Sequence, residues 1–376
     1  MKNVKKLLAV VLAAALCLSL AACYSENKTW AAKDDEETLP IGAYIYFLRS
    51  AFYDAREEVD EGTEVLKTTI DGTAAREWIQ DLAVKDVKSY FYLKNQLKGL
   101  DKALTAEELE EAASSTDYVW TYYKSTMEEI GIAKESFDKA YSIFGSMYTK
   151  YFDALYGEGG EKEVAEDEIH SYFNENYYYY DSFYALLTTT DEDGNSVDLS
   201  DEEKTKLQSD LEAAAQKVQD GDDMETVAES FAKEHDGEDA SSRYTAASAI
   251  SKDSMNETIQ AALDEHAEGD VFVVQLSGAY YVVRKLPITE GYAEAKEDGS
   301  TTSSILHALK DDEYEDFVRE QSGAFEGCTV NADAMSAVDW SKFVTEDTKM
   351  GTKTAESSEA AESSESSESS ESSTAE

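Results

Sequence analysis

The sequence predicts an α+β protein in which a small α/β domain is inserted into a mostly helical domain. Apolar residues recur at helical spacing from residue 40 to about 175, and short strand-like runs follow as far as about 290. A further amphipathic helix lies within 291–350, and its apolar face needs a partner. We therefore expect three parts: a helical domain over 40–175, an α/β domain over 176–290, and a C-terminal helix over 291–350 that returns to the helical domain.

The helical domain is predicted from three segments. One helix has Gly99 as its predicted C-cap and a predicted buried face of six residues: Ile79, Leu82, Ala83, Val87, Tyr90 and Leu97. Thr105-Ala-Glu-Glu108 has the capping-box pattern that begins a second helix. A third segment repeats large side chains at spacings of four and three: Phe137, Tyr141, Phe144, Tyr148, Tyr151 and Leu155. Core packing is the favoured interpretation of this seam, and the alternative is that some of its rings line a surface that binds another polypeptide.

The α/β domain is predicted from short apolar runs between turn signals. Ser200-Asp-Glu-Glu203 caps a helix, and Ser277-Gly278 joins two strands as a hairpin. The Ser/Ala-rich segment 236–254 is predicted as a loop with room for one more strand. The predicted segments are, in order, a strand near 183–188, helices over 201–218, 224–233 and from 256, and strands over 271–276 and 279–284.

The two ends of the chain carry targeting and solvation signals. A charged start is followed by an apolar run and then Leu20-Ala-Ala-Cys23, the pattern of a lipoprotein signal. We expect a signal peptide over 1–22, lipid on Cys23, a polar tether over 23–39, and a position on the outer face of the cell membrane. An ordinary signal peptide with an incidental cysteine is the alternative. The Ser/Glu-rich segment 351–376 has nothing to bury and is predicted to be disordered.

Composition excludes several classes of function. The chain has three cysteines; Cys17 leaves with the signal and Cys23 takes the lipid, so Cys328 has no intramolecular partner. A net charge of −47 argues against nucleic acid as a partner and favours cationic or apolar ones. The four histidines have no ligand spacing, and phosphate-binding and nucleotide-binding glycine motifs are missing, so no metal and no cofactor are expected.

Asp191–Glu202 partly matches the pattern of a calcium-binding loop. Asp191, Asp193, Asn195 and Glu202 fall at ligand positions of an EF-hand loop, but Ser196 stands where such a loop requires glycine. A tight turn followed by a capped helix is therefore the favoured interpretation.

From 40 to about 340 the chain resembles the bacterial PrsA/SurA-type foldases, which join a helical chaperone domain to a parvulin domain. Their linker helix is similar to Glu166–Asn176. The parvulin part is matched in order and spacing by Gly221–Met224 with Ala232–Glu234, by Met255–Ile259, by Ala267–Asp270 and by Ala279–Lys285. The resemblance implies a parvulin-like domain and an extracytoplasmic foldase that binds unfolded, exported polypeptides, with a dimer left open.

The same resemblance assigns the pocket of the parvulin-like domain, and there the sequence departs from the family. Tyr184 and Tyr281 stand where the family has two facing histidines, Ile259 stands for a phenylalanine, and only Met255 is kept. Glu238 or its neighbour Asp239 falls at the acidic position of the long loop. Tyrosine donates a hydrogen bond but does not exchange protons near neutral pH as histidine does. Facing strand residues that only fill the sheet surface are the alternative role for the two tyrosines.

Three functions therefore stay open. The first is a foldase that binds polypeptides; the second is a prolyl cis–trans isomerase in which tyrosines replace the histidines; the third is a scaffold lipoprotein with one partner. Tyr177–Tyr180 add a run of four aromatic rings that cannot all face inward. Some of these rings are predicted to be exposed at a binding surface, and partial burial is the alternative.

Overall fold

The structure, a computed structural model, describes residues 29–190, 194–237 and 240–354. The predicted signal peptide, Cys23 and residues 24–28 of the predicted tether lie outside the described residues, as do Asp191, Asp193, Glu238, Asp239 and the acidic tail from residue 355. The tether prediction is wrong for the rest of that segment, because Trp30–Lys33 and Thr38–Pro40 are strands and Ala31, Ala32 and Leu39 are fully buried. The predicted α+β class is confirmed. The described residues form two compact units: a helical unit, made of residues 29–161 and 312–354, and a sheet unit, Lys162–Asp311.

The helical unit contains a small antiparallel sheet and most of the long helices. Its elements are β1 (Trp30–Lys33), β2 (Thr38–Pro40), α1 (Ile41–Glu57), β3 (Thr69–Ile70), β4 (Thr73–Ala74), α2 (Ala75–Gly99), α3 (Ala106–Ile130), α4 (Lys134–Phe137) and α5 (Phe144–Tyr156). A late strand, β11 (Thr329–Val330), pairs with β1, so the order is β11-β1-β2. A short helix, α12 (Ala332–Ser336), follows.

The predicted faces of the helical unit are largely present. All six residues assigned to the face of α2 are buried. The predicted C-cap is off by one residue: α2 ends at Gly99, and Leu100 is its C-cap. Asp101, with φ +56°, makes the left-handed turn that follows. The capping box of Thr105 and Glu108 forms at the start of α3 as predicted.

The aromatic seam is interrupted between α4 and α5. Residues Asp138–Ile143 form a π-helical turn, which inserts a residue and rotates the side chains that follow it. Phe137 and Tyr151 are buried, whereas Tyr141 is 40% exposed. The seam is therefore core at its two ends and partly open in its middle.

The sheet unit is built on four antiparallel strands in the order β8-β5-β10-β9. Its elements are α6 (Glu166–Asn176), β5 (Tyr177–Leu186), β6 (Thr188–Thr190), β7 (Ser196–Asp198), α7 (Asp201–Gln219), α8 (Met224–Asp236), β8 (Tyr244–Ser251), α9 (Glu257–Glu265), β9 (Val271–Leu276), β10 (Ala279–Lys285) and α10 (Ile288–Asp298). Helices α7 and α8 cover one face, packing on Phe183 and Val282. Helix α9 covers part of the other, packing on Tyr178 and Val283.

Three sequence predictions for the sheet unit need correction. Strand β5 begins at Tyr177 and not near 183, so the four tyrosines lie in the strand. None of the four is exposed: Tyr178 is buried and the others are half-buried, because helices cover both faces of this end of the strand. Helix α10 was not predicted at all. The extra strand suggested within 236–254 is present, as β8.

The predicted C-terminal helix is α11 (Ser300–Ala324), and its apolar face is divided. Ile305 packs on Phe173 and Ala295 within the sheet unit. In the helical unit the ring of Tyr314 lies 4.5 Å from that of Tyr148 and 5.2 Å from that of Phe152. Phe173 lies within the range 40–175 that was predicted as the helical domain, although it belongs to the sheet unit. In the described part of the chain, every helix is too short or too polar to span a membrane.

Candidate functional site

The two tyrosines at the pocket positions face each other across neighbouring strands. Tyr184 of β5 is the direct register partner of Tyr281 of β10. Opposite residues of antiparallel strands project from the same face. Their ring centroids are 5.1 Å apart with an interplanar angle of 27°, which is a stacked arrangement.

Helix α9 brings two more predicted residues to this face. Ile259 is buried in a cluster with Leu263, Phe272 and Val283, and Met255 and Tyr281 pack against the edge of that cluster. Asn256 caps α9 by accepting a hydrogen bond from the backbone N–H of Thr258. This cap begins the helix directly after Met255. The structure thus brings together Tyr184, Tyr281, Met255 and Ile259, while Glu238 lies outside the described residues.

The face is only partly covered. At the end away from α9, Tyr184, Tyr281 and Leu276 are half-buried and Leu186 is 42% exposed. Tyr180 lies four residues before Tyr184 on the same side of β5 and packs on the α9 cluster. We call this surface the tyrosine shelf, defined by Tyr180, Tyr184, Tyr281, Met255 and Leu276. It is an apolar, aromatic surface open to another molecule.

One cation lies at the edge of the shelf. The guanidinium carbon of Arg243 is 5.9 Å from the centre of the Tyr184 ring. Arg243 also pairs with the carboxylate of Asp236, which helps to hold its position.

Two tyrosines on this face, Tyr178 and Tyr180, have raised pKa values. Burial, with a smaller contribution from Tyr281, raises the pKa of Tyr180 above its ordinary value. Burial and the hydrogen bond to Asp264 raise the pKa of Tyr178 to about 12. Phenols with raised pKa values stay protonated at neutral pH. The hydroxyls of Tyr178 and Tyr180 therefore act as O–H donors and not as bases.

The histidines lie elsewhere. His235 stacks on Phe231 and His266 on Phe272, both with ring centroids 4.1 Å apart. His170 packs on Tyr292, and His307 is hydrogen-bonded to Asp311. Over the ranges that the structure describes, no cluster of His, Cys, Asp or Glu side chains could hold a metal ion.

Sequence reasoning missed three residues of this site, Tyr180, Leu276 and Arg243. Tyr180 belongs to the shelf because β5 begins at Tyr177, and placing the start of that strand correctly would have found it by its period of two. Arg243 had no sequence signal, because it lies in the segment predicted as a loop.

The chain is similar to solved structures of PrsA proteins. That of foldase protein PrsA from Lactococcus lactis shares 14% identity over 84% of this chain and 99% of that one, with a TM-score of 0.37. That of foldase protein PrsA from Streptococcus pneumoniae shares 12% identity over 73% and 98%, with a TM-score of 0.38. That of PrsA from Bacillus subtilis shares 14% identity over 78% and 97%, with a TM-score of 0.29. No family model and no curated protein sequence matches the chain.

Proposed function

We propose that the protein is an extracytoplasmic foldase, anchored by lipid at Cys23, that binds unfolded, exported polypeptides on the tyrosine shelf. The observation that carries this proposal is the stacked pair of Tyr184 and Tyr281, which is half-buried on the face where Met255 also packs. Large aromatic rings give much contact area and prefer defined packing geometries. The resemblance of the sequence to PrsA/SurA-type foldases supports the same function.

The shelf suits extended polypeptides whose side chains differ from one polypeptide to the next. The stacked rings accept proline rings and aliphatic side chains by apolar contact, which is not directional. The phenol O–H groups can donate to the carbonyl oxygens that every extended backbone exposes. Neither contact requires a proton transfer, so binding does not depend on the histidines that are replaced here.

Prolyl isomerisation is the second candidate function. Tyr184 and Tyr281 face each other, as the resemblance implies for the family's histidine pair, and Met255 packs on the same cluster as Tyr281, so a twisted amide would find an apolar floor and O–H donors. The uncatalysed barrier of about 18–20 kcal/mol is lowered only by contacts that are stronger to the twisted amide than to the planar one.

The test is binding and prolyl exchange of a short proline-containing peptide with the full mature chain, followed by NMR. We expect Tyr281→Ala to weaken binding about tenfold, because it removes one ring of the stacked pair. Tyr281→Phe keeps the ring and should keep binding, while any catalysis of exchange that needs the hydroxyl is lost.

Tyr123→Ala is the matched control, because Tyr123 is an exposed tyrosine of the helical unit, 52% accessible. Circular dichroism and a thermal melt should show that each variant is folded. Unchanged peptide affinity in a folded Tyr281→Ala protein would contradict the proposal. Wild-type exchange at the uncatalysed rate would remove the isomerase candidate and leave the binding function.

A further inference from the structure

A second open surface lies in the helical unit, between α1, α2, α5 and the C-terminal half of α11. It is a cleft of about 430 Å³. Its walls are aromatic, and the rings of Phe47 and Phe144 lie 5.2 Å apart, while those of Tyr46 and Tyr141 lie 6.4 Å apart. These rings include the middle of the aromatic seam, the part that the π-helical turn leaves partly open.

The cleft contains more negative charge than its own cation neutralises. Three carboxylates line it, from Asp54, Asp86 and Glu315, together with the guanidinium of Arg319. Arg319 pairs with Glu315 one turn away on α11, and its Nη2 is 3.8 Å from Oδ2 of Asp54. The single cation is therefore shared by two carboxylates.

Asp86 is the third carboxylate of the cleft, and Arg319 does not pair with it. Within residues 29–190, 194–237 and 240–354, no hydrogen bond or ion pair reaches its side chain. Burial is the main reason that the pKa of Asp86 is raised to about 7; Asp54 and Glu315 add to the increase, and Arg319 and Lys85 oppose it. Burial also raises the pKa of Asp54. A half-buried carboxyl without a partner among aromatic rings costs free energy, which a bound cation would recover.

We propose that this cleft binds a lysine or arginine side chain of the polypeptide that the protein holds, an inference that rests on the proposed function. The aliphatic stem of such a side chain packs on the rings, and its charged end reaches Asp86. Cations are also attracted to the faces of aromatic rings. A carboxylate from the ligand would be repelled here, and an apolar side chain would bury Asp86 further without pairing it. The net charge of −47 draws cationic segments towards the protein as a whole.

The test uses the full mature chain and a fluorescent, unstructured, proline-free peptide that contains lysine and phenylalanine, with binding followed by anisotropy. We expect Asp86→Asn to weaken binding about tenfold, the equivalent of one charge-assisted hydrogen bond. Asp81→Asn is the matched control, because it removes the same charge from an exposed position on the same helix. The same peptide with glutamine in place of lysine should bind the wild-type protein as weakly as the lysine peptide binds the Asp86→Asn protein.

The pH dependence has a defined sign. Because the Asp86 carboxyl ionises near pH 7, the wild-type protein should bind the lysine peptide more tightly at about pH 8 than at about pH 6. Asp54, Glu315, Arg319 and Lys85 are also present in the variant, so any dependence that they cause should remain in Asp86→Asn while the rest disappears.

Equal affinity of Asp86→Asn and wild type for the lysine peptide would overturn the cleft proposal, and so would equal affinity of wild type for the lysine and glutamine peptides. The foldase proposal fails separately, if Tyr281→Ala leaves binding of the proline peptide unchanged. Because Asp86 and Tyr281 lie in different units, each variant reports on one of the two surfaces.

Discussion

Asp181, a residue of β5, is almost wholly buried, with 1% of its surface exposed. Nε of Arg284 donates a hydrogen bond of 3.0 Å to Oδ1, and its second nitrogen donates to Oδ2, so the pair is bidentate. The hydroxyl of Tyr244 donates to Oδ2 at 3.4 Å. The hydrogen bond to Asp181 raises the pKa of Arg284. Asp181 sits where the register of β5 and β8 shifts, so this pair fixes the sheet next to the shelf.

Removing the cation should destabilise the sheet unit strongly. Arg284→Met leaves a buried carboxylate with the hydroxyl of Tyr244 as its remaining partner, and we expect a loss of about 3 kcal/mol in the free energy of unfolding. Urea unfolding of the full chain measures it. The double variant Arg284→Met with Asp181→Leu should recover much of the loss, since both charges are gone. A loss in the double variant as large as in the single one would show that packing, and not the unpaired charge, is responsible.

The residues of the shelf were predictable only as far as strand register could be inferred. Tyr184 and Tyr281 were assigned by resemblance, and their opposition follows from two strands that the sequence does indicate. Asp86 carries no such signal, because its α2 neighbours Val87 and Tyr90 are ordinary core residues. Its isolation depends on α1 and α11, which lie far from it in sequence and meet it only in the folded unit.

At the scale of elements, α10 shows why a short helix can be missed. Its sequence, Ile288–Asp298, is polar and contains Gly291, which lowers helix propensity. The glycine is required by packing: a Cβ there would lie 2.7 Å from Cγ of Tyr179 and 2.8 Å from its Cβ. The run of four tyrosines also lacks polar alternation, so the start of β5 at Tyr177 was not visible in the pattern. The two missed features belong together, because α10 packs on one face of that tyrosine run.

We expect Gly291→Ala to destabilise the sheet unit by about 1–3 kcal/mol, because the new methyl group must push α10 away from Tyr179. Thermal unfolding followed by circular dichroism measures the change. Gly145→Ala is the matched control: Gly145 lies within α5 with open space around its missing side chain. There, alanine should stabilise by about 0.5–1 kcal/mol through helix propensity. A neutral Gly291→Ala would mean that Tyr179 can move aside without cost.

At the scale of the whole chain, the segment 349–353 ties the C-terminal part of the helical unit to the loop after α1. The backbone N–H of Val65 donates to the carbonyl of Lys349 at 3.0 Å, and that of Gly351 donates to Thr63 at 2.8 Å. Nε of Arg56 donates to the carbonyl of Met350 at 2.8 Å. A Cβ on Gly351 would lie 2.1 Å from the carbonyl oxygen of Val59, so only glycine fits this close approach. The sequence predicts disorder from residue 351 because Ser and Glu dominate soon afterwards. Hydrogen bonds between backbone groups do not depend on the side chains, so the sequence does not indicate this pairing.

Ending the chain after Thr348 should therefore lower the stability of the helical unit, although it removes few apolar side chains. Each backbone hydrogen bond contributes about 0.5–1.5 kcal/mol net, so we expect a loss of about 2–4 kcal/mol, measured as a lower thermal midpoint. A chain that ends after Thr354 keeps these hydrogen bonds and is the control, with the midpoint of the full chain expected. Gly351→Ala should shift the midpoint in the same direction as the shorter chain, because its methyl group displaces the segment from Val59. Equal midpoints for the two shortened chains would show that residues 349–354 add nothing to stability. The part of the chain that contributes to stability would then end near residue 350, where the sequence predicts the boundary.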